Sequence, residues 1–183
     1  APPKWQTAIC LPDDPRKSLV DDRGTLLYHF GKSGNEFATR VAVEVASDAV
    51  WQKQELHSPR IPIVRTRRAA EGLQIVEEAF ADTDPPRDLT PNQGDPSRSD
   101  WILVRVTNTG AAERTVSPQL IVDTRLDFNA AGQQVIVNGH ETIRPSLKML
   151  ALEAAEKKSR RVIPLEALVI APGTTAEFCL RYS

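Results

Sequence analysis

The sequence predicts an all-β protein: a large antiparallel two-sheet β-sandwich with one short helical excursion near residues 147–160. Windows of alternating apolar and polar residues recur along the chain, and a period of two is that of a strand with one buried face. Turn signals rich in Asn, Pro and Gly separate these windows at short intervals, as in sandwiches and barrels. At 183 residues the chain suits a single sandwich domain spanning 1–183. Folding of a domain of this size buries about 70% of the surface that the extended chain exposes to water.

Three windows show the alternation most clearly. FATRVAVEV (37–45) places its aromatic, threonine and valine side chains on one face and its charged side chains on the other. TTAEFCLRYS (174–183) divides in the same way. RTVSPQLIVDT (114–124) also alternates, but Pro118 in its middle predicts an edge strand or a bulge, because proline has no N–H to donate to the ladder.

Two turns have specific signatures. QVIVNGHETI (134–143) sets an Asn-Gly pair between two short apolar runs, which is the strongest hairpin signal in the chain. LVIAPGTTAEFCL (168–180) sets a Pro-Gly pair between two apolar runs. That pair matches a type II turn, with glycine at the position that needs positive φ.

The stretch DWILVRVTNTG (100–110) predicts a central strand. Both faces of its WILV segment are apolar, so we expect this strand to be covered on both sides. The Asn-Thr-Gly that follows predicts a turn in which Gly110 takes positive φ.

Three other segments need a choice. GLQIVEEAFA (72–81) fits a helix or a strand, and its length and the apolar runs before it favour the strand. LKMLALEAAEKKSRR (147–161) is rich in helix formers with one apolar stripe, so we expect a short helix between two strands. ADTDPPRDLTPNQGDPSRSD (81–100) has four prolines and predicts a long surface loop.

The overall charge favours neither nucleic acid nor an anionic membrane surface as a partner. The chain has 23 basic and 24 acidic residues, a net charge of −1. No run of 18 apolar residues is present, so the sequence predicts no membrane span. The chain starts with Ala1 and two prolines. A small residue at the start is typical of cleavage after a secretory signal, which predicts a secreted, periplasmic or cell-surface protein.

The two cysteines leave two interpretations open. Cys10 and Cys179 lie near opposite ends of the chain, as one disulfide across the termini would require in an oxidising compartment. The alternative is two separate thiols, with Cys179 filling space in the last strand. Spacing along the sequence cannot show whether the two Cα atoms are close enough to be bridged.

No set of residues with the pattern of a catalytic centre is visible. The G-x-S-x-G elbow is absent, and the three histidines His29, His57 and His140 are scattered. No pair of His or Cys residues has metal-ligand spacing. We therefore expect no catalytic residue, no metal and no cofactor in this chain.

Two acidic pairs near the N-terminus have side chains of the type that binds a hard metal ion. Asp13-Asp14 and Asp21-Asp22 could supply oxygen ligands to calcium, which binds several carboxylates and carbonyls. Acidic pairs in such loops are more often simply solvated, so calcium is the second interpretation.

Glu77 and Glu78 are adjacent carboxylates, the residue type of a general acid/base pair. Adjacent residues of a strand point to opposite faces, so the two cannot flank one scissile bond. An arginine run precedes them, formed by Arg65, Arg67 and Arg68, and it lies across a possible hairpin. We expect a structural ion pair between one of these glutamates and one of these arginines.

Exposed tryptophans are candidates for contact with a sugar ring or a neighbouring domain. Trp101 opens the central strand and is expected in the core. Trp51 lies in an alternating segment that leaves it exposed, as a sugar platform or as part of a docking face. With Arg65, Arg67 and Arg68, it is a candidate for docking or sugar contact.

Four segments in order resemble a known domain. They are FGKSGNEFATRVAVEV, SPRIPIVRTRRAAEGLQIVEEAFA, DWILVRVTNTGAAERTVSPQLIV and LVIAPGTTAEFCLRYS. Their order resembles the N-terminal β-sandwich, or supersandwich-like, domain of bacterial six-hairpin glycosidase-like proteins, in which a large antiparallel sandwich precedes an α/α-barrel. In that family the catalytic carboxylates belong to the helical barrel. The resemblance therefore implies no catalytic residue here.

The sequence and the resemblance together suggest a non-catalytic accessory domain of a longer, exported carbohydrate-active protein. Such a domain packs on a helical catalytic barrel of the same polypeptide or shapes its substrate cleft. The first alternative is a stand-alone carbohydrate-binding module whose ligand is an oligosaccharide. The second is a structural or adhesive cell-surface domain, which predicts an exposed strand edge that pairs with a partner chain.

Overall fold

A computed structural model describes residues 6–10, 18–31, 37–58, 61–84, 97–150 and 159–183. All regular elements of this part of the chain are strands. Their bounds are β1 Gln6–Ile9, β2 Ser18–Asp21, β3 Leu26–Phe30, β4 Phe37–Glu44, β5 Val50–Ser58, β6 Ile61–Ala70, β7 Leu73–Asp84, β8 Ser97–Asn108, β9 Arg114–Val116, β10 Gln119–Thr124, β11 Phe128–Ala131, β12 Gln134–Val137, β13 Glu141–Pro145, β14 Arg160–Pro164, β15 Leu168–Ile170 and β16 Thr175–Tyr182.

The strands form two large antiparallel sheets that pack face to face as a sandwich, which confirms the predicted fold class. The six-stranded sheet has the order β1-β2-β3-β4-β10-β14, and the eight-stranded sheet has the order β11-β12-β13-β16-β8-β7-β6-β5. A separate two-stranded sheet pairs β15 with β9.

One core fills the space between the two large sheets. The six-stranded sheet contributes Val41 and Leu120, and the eight-stranded sheet contributes Ile102 and Val104, all with no exposed surface. Each such side chain stabilises the fold by about 1.5–3 kcal/mol through removal of its apolar surface from water. The alternation predicted for 37–45 and 174–183 is confirmed, because inward residues are buried and charged ones point outward.

Pro118 marks a change of sheet. The segment before it is β9 of the two-stranded sheet, and the segment after it is β10 inside the six-stranded sheet. The predicted edge strand or bulge within one continuous strand is therefore wrong. Because Pro118 has no N–H, it ends one ladder and lets the chain enter the other. Its carbonyl still accepts a hydrogen bond from the N–H of Leu165 at 2.9 Å.

Both predicted turns are present. Asn138 and Gly139 have φ of 53° and 77°, and they join β12 to β13 as a hairpin. Gly173 has φ of 71°, and the N–H of Thr174 donates to the carbonyl of Ala171 at 3.1 Å. This second turn connects β15 to β16, which lie in different sheets.

The strand β8 is central, as predicted, with β7 and β16 as its neighbours. Its inward side chains Ile102 and Val104 are fully buried, but Trp101 and Leu103 on the other face are only half-buried. We expected both faces of β8 to be buried. Among the described residues, its inward face is buried completely and its outward face only in part.

Asn108 ends β8 and holds the turn after it. Its side-chain Nδ2 donates to the carbonyls of Ala112 and Ile170, both at 2.8 Å. Its Oδ1 accepts a hydrogen bond from the N–H of Gly110 at 2.9 Å. Gly110 does not take positive φ, contrary to the sequence expectation. The asparagine side chain closes this turn, so a left-handed glycine is not required.

The segment at 72–81 is a strand, as favoured, since β7 runs over Leu73–Asp84. The predicted loop is shorter than expected, because β7 extends to Asp84 and β8 begins at Ser97. In the predicted helical excursion, residues 147–150 and 159–160 are not helical, and Met149 forms an antiparallel bridge with Leu165. Residues 151–158 of that prediction lie outside the described residues.

The cysteines are two separate, half-buried thiols, so the disulfide interpretation is wrong for this structure. Cys10 follows the edge strand β1, whereas Cys179 lies in β16 of the other large sheet. Among the described residues, no helix has the length and apolar character needed to cross a membrane.

We expect the change Asn108→Ala to lower the free energy of unfolding by about 2–4 kcal/mol, because it removes three hydrogen bonds at a site with no exposed surface. Urea unfolding followed by tryptophan fluorescence measures this loss. The matched control is Asn129→Ala on an exposed position of β11, which we expect to change stability by less than about 0.5 kcal/mol. Equal losses in the two variants would contradict the role given to Asn108.

Candidate functional site

The outer face of the eight-stranded sheet carries aromatic, aliphatic and arginine side chains that are half-buried. We call this surface the outer patch, and it consists of Arg65, Val76, Phe80, Trp101, Leu103, Arg105 and Arg181. Phe80 and Trp101 lie directly opposite each other on β7 and β8, and Arg181 lies opposite Trp101 on β16. The register therefore brings together residues that are far apart in the sequence.

Ion pairs hold the arginines of the outer patch in place. Arg65 Nε donates to Glu78 Oε1 at 2.8 Å, and Arg105 Nη1 donates to Glu78 Oε2 at 2.6 Å. Arg105 Nε also donates to Glu177 at 2.7 Å. Burial raises the pKa of the Glu78 carboxyl, but the hydrogen bonds from Arg65 and Arg105 outweigh it, and the net pKa is lowered. Glu78 is therefore held ionised between two arginines.

Arg181 covers Trp101. Its guanidinium lies 5.6 Å from the centre of the indole ring, and its Nε donates to Ser99 Oγ at 2.8 Å. This geometry is that of a cation–π contact. Trp101 was expected in the core, but it lies on the outer face with one arginine over its ring.

Glu77 points the opposite way, into the sandwich. It is 3% exposed and forms an ion pair with Arg68. The prediction that Glu77 and Glu78 face opposite sides is confirmed, and both glutamates form the structural ion pair that was expected of one of them. Arg68 also donates to the carbonyl of Val43 at 3.1 Å, so it connects the two sheets. Burial lowers the pKa of Arg68, and the charge of Glu44 opposes that shift.

The arginine run is thus divided between two sides of one sheet. Arg65 lies on the outer patch. Arg67 also points outward, where it pairs with Glu55 at 3.3 Å near the edge of the sheet. Arg68 points inward to Glu77. Because successive side chains of β6 point to opposite faces, Arg65 and Arg67 share the outer face and Arg68 lies on the inner one.

Trp51 lies on the edge strand β5, where a register irregularity separates Trp51 from Lys53. Its ring is half-buried, and its indole N–H is buried with no hydrogen-bond partner among the described residues. The neighbouring Val50 is 69% exposed. The structure therefore places Trp51 beside an exposed apolar edge and apart from the outer patch.

A polar network between the sheets had no signal in the sequence. Asp100 accepts hydrogen bonds from Ser18, from Tyr28 Oη at 2.9 Å and from Arg98 Nε at 3.1 Å. The ring of Tyr28 stacks on Tyr182 with 3.8 Å between centres. Burial raises the pKa of Tyr28 well above its usual value, and the charge of Asp100 adds to this shift. These groups join β2, β3 and β8.

His29 extends the connections between the sheets. It is the residue with φ of 56° on β3, and its imidazole contacts Thr39 at 3.0 Å and Glu141 at 2.6 Å. Strict alternation would place His29 on the outer face with Leu27. The left-handed backbone turns its side chain inward instead, where it contacts Glu141 of the other sheet. Since alternation is the only signal that the sequence offers, sequence reasoning could not find this pair.

The described residues contain no group of three or more metal-ligating side chains. Asp21 instead accepts hydrogen bonds from the backbone N–H groups of Arg23 and Thr25 at 2.9 and 3.0 Å, which closes a turn. Asp13 and Asp14, the other half of the calcium alternative, lie outside the described residues.

The chain matches no protein-family model, and no match is found among curated proteins. Function is therefore inferred from the fold and from the surfaces described above.

We expect Arg68→Met to lower the free energy of unfolding by about 3–5 kcal/mol, because it leaves the buried Glu77 carboxylate without its ion-pair partner. Chemical denaturation checks this value. Arg67→Met is the control, since its pair with Glu55 is more exposed and is worth at most about 1 kcal/mol. Adding Glu77→Leu to Arg68→Met should restore part of the loss. Similar losses for Arg67→Met and Arg68→Met would contradict this assignment.

The lowered pKa of Glu78 predicts a dependence of stability on pH. A carboxyl whose pKa is lower in the folded state stabilises the fold above its unfolded pKa of about 4.3, and this contribution is lost as pH falls through the folded value. Glu78→Gln should therefore be less stable than wild type at pH 7, and the difference should shrink below about pH 4. Denaturation midpoints from pH 7 to 3 test this, with Glu71→Gln on an exposed turn as control. A difference that stays constant with pH would refute it.

Proposed function

We propose that this chain is a non-catalytic β-sandwich accessory domain of an exported, glycosidase-like carbohydrate-active protein, and that it packs on a helical catalytic domain through the outer patch. The observation that carries the proposal is the second face of β8. Trp101 and Leu103 make that face apolar, yet the described residues cover it only partly. A further domain packed on this face would bury the apolar side chains that the described residues leave partly exposed.

The composition of the outer patch supports a role in docking. Tryptophan, phenylalanine and arginine are enriched at protein interfaces and dominate the binding energy there. Glu78 fixes Arg65 and Arg105, and Arg181 is fixed over Trp101. Side chains that are already held in place lose less conformational freedom when a partner binds.

Two alternatives have one observation each. A stand-alone carbohydrate-binding module is favoured by a groove on the outer face of the six-stranded sheet. A structural or adhesive domain is favoured by the edge strand β5, on which Val50 and Leu56 are 69% and 45% exposed. The irregular register of β5 near Trp51 and Leu56 weakens the adhesive alternative, because bulges interrupt edge-to-edge pairing.

The test compares the isolated 183-residue chain with the polypeptide encoded by the native reading frame. Hydroxyl-radical labelling followed by mass spectrometry should modify Trp101 and Phe80 less in the longer polypeptide. Phe30, which is 61% exposed at another part of the sandwich, serves as the internal control. A reading frame without a second domain, or equal labelling in both forms, would overturn the proposal.

The same docking is testable with variants. Leu103→Glu should weaken the association between the separately produced chain and the second domain by about tenfold or more, because it places a charge in the apolar part of the outer patch. Gln74→Glu adds the same charge to an exposed position of the adjacent strand β7 and should leave the affinity within about twofold. Equal effects of the two changes would contradict docking through the outer patch.

A further inference from the structure

We infer that the groove on the outer face of the six-stranded sheet binds a saccharide that carries carboxylates, such as a chain of uronic acids, with Arg40 and Arg160 as the groups that receive the carboxylates. The groove lies on the sheet opposite the outer patch, so this site is independent of domain docking. It has a volume of about 850 Å³, within the range of small-ligand sites.

The strand register builds a row of three charged side chains along the groove. Asp123 of β10 lies directly opposite Arg40 of β4 on one side and directly opposite Arg160 of β14 on the other. Neighbouring strands are about 4.8 Å apart, so the two arginines start about 10 Å from each other. Arg40 and Asp123 project away from the core, because their neighbours Val41 and Val122 point inward, and Arg160 shares the face of Asp123, its register partner.

Arg40 and Arg160 are exposed and make no ion pair with a described residue. Other arginines of this sandwich are paired with carboxylates, as Arg65 and Arg105 are with Glu78. Guanidinium groups bind carboxylates through two parallel hydrogen bonds. A ligand with carboxylates along its length would supply the partners that these two arginines lack.

The rest of the lining fits a ligand rich in hydroxyl groups. Acidic and amide side chains lie along the groove, and they are Gln6, Asp21, Asp22 and Glu44. A carboxylate accepts hydrogen bonds from hydroxyl groups. Together with the two arginines, this lining suits a ligand that carries hydroxyl groups as well as carboxylates.

The floor of the groove is apolar between the charged groups. Ala42 and Ile121 lie opposite each other on β4 and β10, and both are half-buried. These side chains present a smooth surface to the C–H groups of a sugar ring. A smaller cleft of about 290 Å³ adjoins the row and shares Arg40 and Asp123 with the groove. A ligand can therefore extend past the arginine row.

The experiment is isothermal titration calorimetry of the full chain with three probes. These are trigalacturonate, its methyl ester as the neutral match, and a carrageenan tetrasaccharide that carries sulfates only. We expect trigalacturonate to bind at least about tenfold more tightly than the ester, with an affinity that falls as salt increases. Equal binding of the ester, tighter binding of the sulfated probe, or no binding of any probe would overturn the inference.

Variants assign the binding to the arginine row. Arg40→Gln and Arg160→Gln should each weaken trigalacturonate by about tenfold, and the double variant should abolish the preference over the ester. Arg144→Gln on the eight-stranded sheet is the control and should leave the affinity unchanged. Thermal unfolding verifies the fold of each variant, which exposed arginines should not disturb. Unaltered binding by the double variant would place the ligand elsewhere.

Discussion

The register between β7 and β8 is the constraint on which the rest of the sandwich depends. Twelve residue pairs, from Leu73–Asn108 to Asp84–Ser97, form one uninterrupted antiparallel ladder at the centre of the eight-stranded sheet. A slip of one residue in either strand would exchange its two faces, taking Ile102 or Ile75 out of the core. The alternating burial of β8 and the long hydrophobic contact with the six-stranded sheet favour only one register. That register also determines which residues form the outer patch.

Polar groups between the sheets add specificity to this apolar core. Arg68 joins Glu77 to the carbonyl of Val43, and Asp100 joins Tyr28 and Arg98. Buried ion pairs add little net stability over apolar side chains, but leaving one partner alone is costly. Another stacking of the sheets would break the hydrogen bonds from Arg68 to Val43 and from Tyr28 to Asp100, which cross from one sheet to the other. We interpret these contacts as fixing how one sheet lies on the other.

Periodicity and turn chemistry account for what the sequence predicted well. Alternation shows which side chains of a strand point inward, and Asn-Gly and Pro-Gly pairs form turns through local backbone preferences. Both features can therefore be predicted without knowing which strands pair. The change of sheet at Pro118 was missed because it depends on which distant strands are free to pair. The row of Arg40, Asp123 and Arg160 was missed for the same reason, as its members are more than 30 residues apart. Inward-facing His29 breaks the alternation rule itself.

The position of β16 has a consequence for the order of folding. This strand follows all the other described strands in the sequence, yet it lies inside the eight-stranded sheet and joins the β11-β12-β13 hairpins to β8. During vectorial synthesis, the two parts of the sheet remain separate until β16 leaves the ribosome. Each part then presents an open edge, on β13 and on β8, that is able to pair with other nascent chains. Premature termination within this strand would leave a molecule with both edges exposed, which would favour pairing between chains over closure of the sheet.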